Sequence, residues 1–152
     1  MIRGPRLTDQ PYIASTWARS MLGMHASQRH GTMRTGRQIG HVIDAVLDRP
    51  DTRALLCVKD FDHDYIVGYV LYAEGPAVPL VHWLYCRDHD SDGRPLRGQG
   101  VAAELLKRIN VDRSKAVICT STGPSSESMR GRYRASVHVP LTEFLTPGTP
   151  GK

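Results

Sequence analysis

The residues best suited to chemistry lie in one short segment, Arg97 to Lys107, which reads RGQGVAAELLK. Gly98 and Gly100 predict a turn, and the residues that follow predict a helix. The first backbone N–H groups of a helix have no partner inside it and lie at the positive end of its dipole. A glycine-bearing turn that opens a helix after a strand is therefore suited to binding a phosphate group.

The spacing in this segment excludes two common nucleotide loops. The G-x-x-x-x-G-K-S/T pattern is absent, and Gly98-x-Gly100 lacks the third glycine of the dinucleotide-binding fingerprint. The helix after the turn is amphipathic, because its apolar residues recur at spacings that place them on one face. These residues are Val101, Leu105, Leu106 and Ile109.

The segment resembles the acyl-CoA loop of the GNAT N-acetyltransferase superfamily. That loop reads Gln/Arg-x-x-Gly-x-Gly/Ala, and Arg97, Gly100 and Ala102 satisfy its three constrained positions. In the family the loop follows the fourth strand and opens the main helix, and here an apolar, aromatic run from Val81 to Cys86 precedes it. The resemblance extends over most of residues 1–145. It implies an α/β fold with a central, mostly antiparallel mixed sheet flanked by helices.

The resemblance also implies that acetyl-CoA binds as a co-substrate. Its pantetheine arm would hydrogen-bond the backbone of the fourth strand at Leu84, Tyr85 and Cys86. Its diphosphate would bind the backbone N–H groups of the loop, with Arg97 as the charge partner. The loop residues concerned are Gly98, Gln99, Gly100, Val101 and Ala102.

Acetyl transfer to a primary amine requires a neutral amine, a group that takes its proton and often a donor to the departing thiolate. Tyr133 lies about where many family members have the tyrosine that donates to the thiolate. His82 occupies the place of the family's fourth-strand glutamate, and histidine titrates near neutrality. Glu74, at the end of the preceding strand, is the other candidate base. A packing role stays open for both Tyr133 and His82.

Hydrophobic periodicity predicts the elements that must position these residues. Apolar residues recur every three to four positions over two segments, which predicts helices at 11–24 and 35–47. From residue 53 the pattern changes to short runs rich in branched and aromatic residues, which predicts strands. The predicted strands are 54–58 and 65–73, which form a hairpin, then 80–86, 116–120 and 137–145, with a short helix before the last.

Composition predicts one globular domain. The 152 residues are 40% hydrophobic and 23% charged, which is ordinary for a chain with a proper core. We predict a single domain over residues 1–145 and a disordered tail over 146–152, which has no apolar content. No apolar run of about 18 residues and no apolar signal core are present, so we expect a cytoplasmic protein.

The sequence predicts no metal site and no disulfide. Cys57, Cys86 and Cys119 are odd in number and lie in apolar runs, which predicts buried, reduced thiols. Residues Asp88 to Gly93 match the start of an EF-hand loop, but Gln99 stands where the bidentate glutamate should be. We predict a solvated acidic loop, and a role in recognising a cationic substrate stays open.

The net charge of +5 is unevenly distributed, with +4 over residues 1–49, −3 over 50–100 and +4 over 101–152. Basic ends suit CoA phosphates or nucleic acid. The segment from Thr16 to Ser20, TWARS, faintly resembles small phage-encoded GNAT-like proteins, some associated with DNA base modification.

Three functions therefore stay open. The first is acetyl transfer to a small molecule, a protein or modified nucleic acid. The second is a catalytically silent module that binds protein or nucleic acid, and the third is a phage-type enzyme acting on modified DNA bases. No membrane partner is expected, and a homodimer stays open.

Overall fold

The computed structural model describes residues 1–28, 36–74, 79–96, 99–111, 116–119 and 135–138. Within these residues, a 3₁₀ turn at Leu7–Asp9 leads into the first of three helices: α1 (Gln10–Gln28), α2 (Gly36–Leu47) and α3 (Val101–Arg108). The strands are β1 (Ile2–Arg3), β2 (Thr52–Lys59), β3 (Asp62–Ala73), β4 (Leu80–Cys86), β5 (Ala116–Cys119) and β6 (Ala135–His138).

The strands form one mixed sheet in the order β1-β2-β3-β4-β5-β6. The first four pair antiparallel, whereas β4 with β5 and β5 with β6 are parallel. The parallel step from β4 to β5 contains α3, as a parallel connection requires a crossover. The predicted α/β class, with a central and mostly antiparallel sheet flanked by helices, is confirmed.

The predicted bounds of the strands differ from those in the structure mainly where the sequence pattern of a strand is short. The strand at 80–86 matches β4, while β2 and β3 are longer because the polar residues from Asp62 continue the ladder. The strand predicted at 137–145 begins earlier, since β6 is Ala135–His138. β1 was not predicted, because two residues carry no periodicity. The predicted short helix and the tail at 146–152 lie outside the described residues.

Each face of the sheet has its own hydrophobic core. The α1 face packs against α1 and α2, and there the rings of Trp17 and Trp83 stack with centroids 5.9 Å apart. The other buried residues of the α1 face are Ile13, Ile43, Val46, Leu56, Val58, Ile66, Tyr69 and Leu71. The α3 face packs against α3, and its buried residues are Val70, Val81, Leu84, Leu105, Leu106, Ile109, Val111 and Cys119.

A β-bulge interrupts β4 at His82. Leu71 of β3 pairs with Trp83 and Tyr72 pairs with Val81, so His82 is an extra residue on β4. The described pairs between β4 and β5 are Leu80 with Ile118 and Val81 with Cys119. A bulge bends its strand and increases the local twist. The bulge therefore lies just before the second half of β4, Leu84 to Cys86.

Gly68 allows α3 to approach the sheet at this same end of β4. A Cβ at Gly68 would lie 2.7 Å from the Tyr85 carbonyl oxygen and 3.1 Å from Val101 Cγ1. Carbon atoms do not approach a backbone oxygen that closely, so a side chain would force the strand or the helix to move. The missing side chain at Gly68 therefore holds the start of α3 close to the end of β4.

The N-terminal segment is anchored by a buried ion pair. Both guanidinium Nη atoms of Arg3 donate to the Asp9 carboxylate, at 2.7 and 2.9 Å, and the Arg6 backbone N–H donates to the same group. These bonds lower the pKa of Asp9. The Asp9 side chain thereby completes a capping box at the 3₁₀ turn before α1, whose N-cap residue is Arg6.

The three cysteines are reduced thiols, as predicted, and Cys119 is buried while Cys57 and Cys86 are half-buried. Burial raises the pKa of the Cys57 thiol. Of the helices in the described residues, none has both the length and the apolar character that a bilayer crossing requires.

Candidate active site

The start of α3 has the features of an anion-binding helix end. Gly100 is the N-cap and adopts a left-handed conformation, with φ of 77° and ψ of 16°, which glycine adopts without strain. No side chain caps the helix, and the Gly100 carbonyl accepts the first helical bond from the Glu104 N–H at 2.9 Å. The amides of Val101 and Ala102 precede that bond, so they are among the helix's intrinsically unpaired donors.

The surroundings of this helix end leave it accessible. Gln99 and Gly100 are exposed, and a Cβ at Gly100 would meet no atom within 4 Å. The Gln99 side chain donates to the Pro95 carbonyl at 3.0 Å, which ties the loop back on itself. Glu104, an acidic residue of the first turn, accepts a bond from Arg108 Nε at 3.3 Å. Arg97 and Gly98, the first two predicted loop residues, lie outside the described part of the chain.

The end of β4 presents different groups to the two faces. Leu84 is buried in the core of the α3 face, and Cys86 Sγ would lie 3.3 Å from a Cβ at Gly68 on that side. Tyr85 points to the α1 face and stacks on Tyr69 with ring centroids 5.2 Å apart. The predicted donor segments, 84–86 and the start of α3, are therefore adjacent in the fold.

His82 is fully buried at the bulge. Its exposed fraction is 0%, and burial lowers the pKa of its imidazole to about 4. The charge of Asp51 raises this pKa and the charge of Arg49 lowers it, but both effects are smaller than that of burial. The imidazole is consequently neutral at pH 7. A neutral imidazole can accept a proton, but one with this pKa is a weak base.

Glu74 directly follows the last residue of β3, whereas Gly68 lies in the middle of that strand. Its side chain is 70% exposed and pairs with Arg53 Nε at 3.6 Å. Six residues of extended chain separate Glu74 from Gly68, which corresponds to about 20 Å. Glu74 is therefore not brought together with the start of α3. Tyr133, the predicted donor to the thiolate, lies outside the described residues.

A cluster of tyrosines around Arg87 lies on the α1 face and was not predicted from the sequence. The Arg87 guanidinium carbon lies 4.6 Å from the ring centroid of Tyr65 and 5.1 Å from that of Tyr12. Arg87 Nε donates to the Ile66 carbonyl at 2.6 Å. The rings of Tyr12 and Tyr85 meet edge to face at 6.4 Å. We call Tyr12, Tyr65, Tyr85 and Arg87 the tyrosine–arginine cluster.

The acidic loop after β4 is folded by its own carboxylate. Asp90 accepts the backbone N–H groups of Asp92 and Arg94, at 2.8 and 2.9 Å, and these bonds lower its pKa. Lys59 Nζ lies 3.9 Å from the same carboxylate. Within the described residues, no group of acidic, histidine or cysteine side chains could hold a metal ion. Asp90 thus acts as a structural residue of the loop.

No family model matches the sequence, and no curated protein matches it. Solved structures do match in fold. A possible acetyltransferase from Clostridium difficile 630 is 13% identical, with a TM-score of 0.51 over 89% of this chain and 91% of that one. A probable acetyltransferase is 12% identical, with a TM-score of 0.50 over 91% and 77%. The tetramutant of the BH1408 protein from Bacillus halodurans is 15% identical, with a TM-score of 0.54 over 86% and 88%.

The chain has the GNAT acetyltransferase fold. The resemblance predicted from Arg97, Gly100 and Ala102 is confirmed at the level of the fold. Within TWARS, Trp17 is a buried core residue and Arg19 is exposed, so Trp17 is explained by packing.

Proposed function

We propose that this protein is an N-acetyltransferase that transfers an acetyl group from acetyl-CoA to a primary amine. The observation that carries the proposal is the start of α3, which begins at a left-handed glycine without a side-chain cap, beside the end of β4. A diphosphate is the kind of ligand that such a helix end binds. The acetyltransferase fold supports the same donor.

The described residues fit acetyl-CoA as a substrate. The diphosphate would bind the amides from Gly98 to Ala102 with Arg97 as its cation, and the space around Gly100 would admit it. The pantetheine amides would pair with the backbone of Leu84, Tyr85 and Cys86, which lies beside the start of α3. Here the backbone rather than the side chains provides the hydrogen bonds.

In the proposed reaction, the amine nitrogen attacks the thioester carbonyl, a C–N bond forms and the C–S bond breaks. The amine loses a proton to a base, and the departing thiolate gains one from an acid. We assign the acid to Tyr133. For the base we favour His82 over Glu74, because His82 lies at the bulge of β4 whereas Glu74 is exposed and bound to Arg53.

The dependence of the rate on pH tests whether His82 is a buried, neutral imidazole. An imidazole whose pKa is about 4 stays neutral throughout the pH range from 5 to 8. The dependence of kcat/KM on pH should consequently show no ionisation near 6.5, the ordinary value for histidine. An ionisation near 6.5 that disappears in His82→Gln would contradict the burial of a neutral His82.

Acetyl-CoA binding tests the proposed function before any acceptor is known. A millimolar excess of acetyl-CoA should raise the Tm of the wild-type protein, because a ligand that binds only the folded state stabilises it. Gly100→Glu should abolish this shift, since it places a charged side chain where the diphosphate would bind. No shift with the wild-type protein would reject the proposal.

Gly93→Glu is the matched control for Gly100→Glu. Gly93 has nearly the same φ, 78° against 77°, and a Cβ there would also meet nothing within 4 Å. Backbone strain should therefore lower the free energy of unfolding of both variants by a similar amount, about 1 to 2 kcal/mol. Only Gly100→Glu should lose the response to acetyl-CoA. Loss of the response in both variants would show that strain, not the binding site, is responsible.

A further inference from the structure

The Arg87 guanidinium is held in place before any ligand binds. Its Nε donates to the Ile66 carbonyl, and its guanidinium carbon lies within 5.1 Å of the ring centroids of Tyr12 and Tyr65. The Arg87 backbone N–H also donates to the Val67 carbonyl at 2.8 Å. A guanidinium fixed in this way loses little conformational freedom when it binds an acid.

Arg87 has no acidic partner among the described residues. The nearby carboxylate of Asp90 accepts two backbone N–H groups of its loop and lies next to Lys59. Lys59 Nζ lies 4.2 Å from the ring centroid of Tyr65, the ring that Arg87 also contacts. Asp90 thus balances the charge of Lys59. Within the described residues, no carboxylate balances the positive charge of Arg87. Arginine presents its two Nη groups in a fork that matches a carboxylate.

The Tyr12 hydroxyl is the second polar group of the cluster. It is buried, and within the described part of the chain it has no hydrogen-bond partner. Burial raises the pKa of Tyr12, and its interactions with the neighbouring Tyr85 raise it further. The nearby positive charge of Arg87 has the opposite effect and lowers the pKa of Tyr12. A buried hydroxyl without a partner costs free energy, and a ligand that accepts its hydrogen bond would remove that cost.

The tyrosine–arginine cluster lies on the face opposite α3. Tyr85 projects to the α1 face from the strand end whose backbone we assign to the pantetheine arm. The Arg87 amide pairs with Val67, the neighbour of Gly68, which contacts the start of α3. Two substrates could therefore approach the end of β4 from opposite faces, the acyl donor at α3 and the amine at the cluster.

We propose that Arg87 and Tyr12 bind a carboxylate of the amine acceptor, so that the acceptor class is amino acids and other amines that carry a carboxylate. This proposal rests on the proposed acetyltransferase function. The Arg87 fork would bind the two carboxylate oxygens, and the Tyr12 hydroxyl would donate to one of them. The acceptor is thus selected by its carboxylate, whereas the acidic loop had left open a substrate recognised by its positive charge.

Paired acceptors test the proposal. We would measure kcat/KM for glycine, lysine and 4-aminobutanoate against their carboxamides, calculated for the neutral amine, and binding of the same compounds to the CoA-bound protein by saturation-transfer NMR. The wild-type protein should prefer at least one carboxylate by about tenfold or more, chiefly through KM, as expected for hydrogen bonds to a charged group. No preference in rate or in binding for any carboxylate would overturn the proposal.

Variants separate recognition from folding. Arg87→Gln should abolish the carboxylate preference, while Arg94→Gln, an exposed arginine of the adjacent loop, should keep it. Tyr12→Phe removes only a hydroxyl and should raise KM for the carboxylate without lowering Tm. A carboxylate preference that survives both Arg87→Gln and Tyr12→Phe would contradict the assignment. The acetyl-CoA shift in Tm should be kept in all three variants, and its absence from the wild type would instead reject the proposed function.

Discussion

The two faces of the sheet at the end of β4 are built from different kinds of groups. On the α3 face, Gly68 and Gly100 remove side chains, and the backbone amides at the start of α3 are the available donors. On the α1 face, the tyrosine–arginine cluster fills the space with large side chains, and Arg87 is the available donor. The comparison indicates that one face suits a ligand recognised through the backbone and the other a ligand recognised through side chains.

The largest effect is expected at Gly68, where a side chain would break the close packing of the α3 face. Gly68→Ala should lower the free energy of unfolding by about 3 kcal/mol, because its Cβ would lie 2.7 Å from the Tyr85 carbonyl oxygen. The change should also reduce the acetyl-CoA shift in Tm by moving α3. Urea unfolding with and without acetyl-CoA measures both quantities.

Gly40→Ala is the control for Gly68→Ala. Gly40 lies inside α2 and a Cβ there would meet nothing within 4 Å. Alanine should therefore raise the free energy of unfolding by about 1 kcal/mol, since it is the better helix former. Equal effects of the two changes would show that the contact between Gly68, Tyr85 and Val101 does not position α3.

The next effect concerns His82, which is fully buried at the bulge of β4. Because burial lowers its pKa to about 4, the unfolded chain binds a proton near pH 6.5 that the folded protein does not. Stability should therefore fall as the pH is lowered, and His82 should contribute about 2 kcal/mol to the loss between pH 7 and pH 5. Urea unfolding of the wild type and His82→Gln at the two pH values measures this contribution.

His63→Gln should retain the pH dependence, because His63 is exposed at the β2–β3 hairpin. If His82→Gln and the wild type lost stability in parallel between pH 7 and pH 5, His82 would be accessible in solution. The assignment of a buried, neutral His82 at the bulge of β4 would then be wrong.

The smallest effect distinguishes two tyrosines of the α1 face. Tyr12→Phe should leave the free energy of unfolding unchanged or raise it by about 1 kcal/mol, because the hydroxyl has no partner within the described residues. Tyr69→Phe should lower it by about 1 to 3 kcal/mol, because that hydroxyl bonds Thr16 Oγ1 at 2.8 Å and the Ile13 carbonyl at 3.1 Å. Thermal unfolding compares them, and a loss in Tyr12→Phe would indicate a structural hydroxyl.

The sequence predicted the α3 face better than the α1 face, for a physical reason. The donor residues from Leu84 to Ala102 lie close together in the chain, and their turn and helix have local signals. The apolar spacing predicted α3, with Leu105, Leu106 and Ile109 buried as expected. Arg97, Gly98 and Tyr133 stay predictions, because the described residues do not include them.

No local sequence pattern predicted the tyrosine–arginine cluster. Tyr12 lies on α1, Tyr65 on β3 and Arg87 after β4, so the register of the sheet and the packing of α1 against it bring them together. The importance of Gly68 depends equally on the register, which places it beside Cys86 and under Val101. Aromatic residues next to a basic residue at a strand end were the available hint, and the sequence alone did not pair them.

The central claim is that acetyl-CoA binds the backbone at the end of β4 and the start of α3. An NMR titration of the ¹⁵N-labelled protein with acetyl-CoA tests it residue by residue. We expect the largest amide shifts at residues 84–86 and 100–102, with small shifts at Arg53 and Glu74 at the far end of the sheet. Saturable binding whose largest shifts fall at Arg53 and Glu74, or an absence of shifts at residues 100–102, would contradict the account.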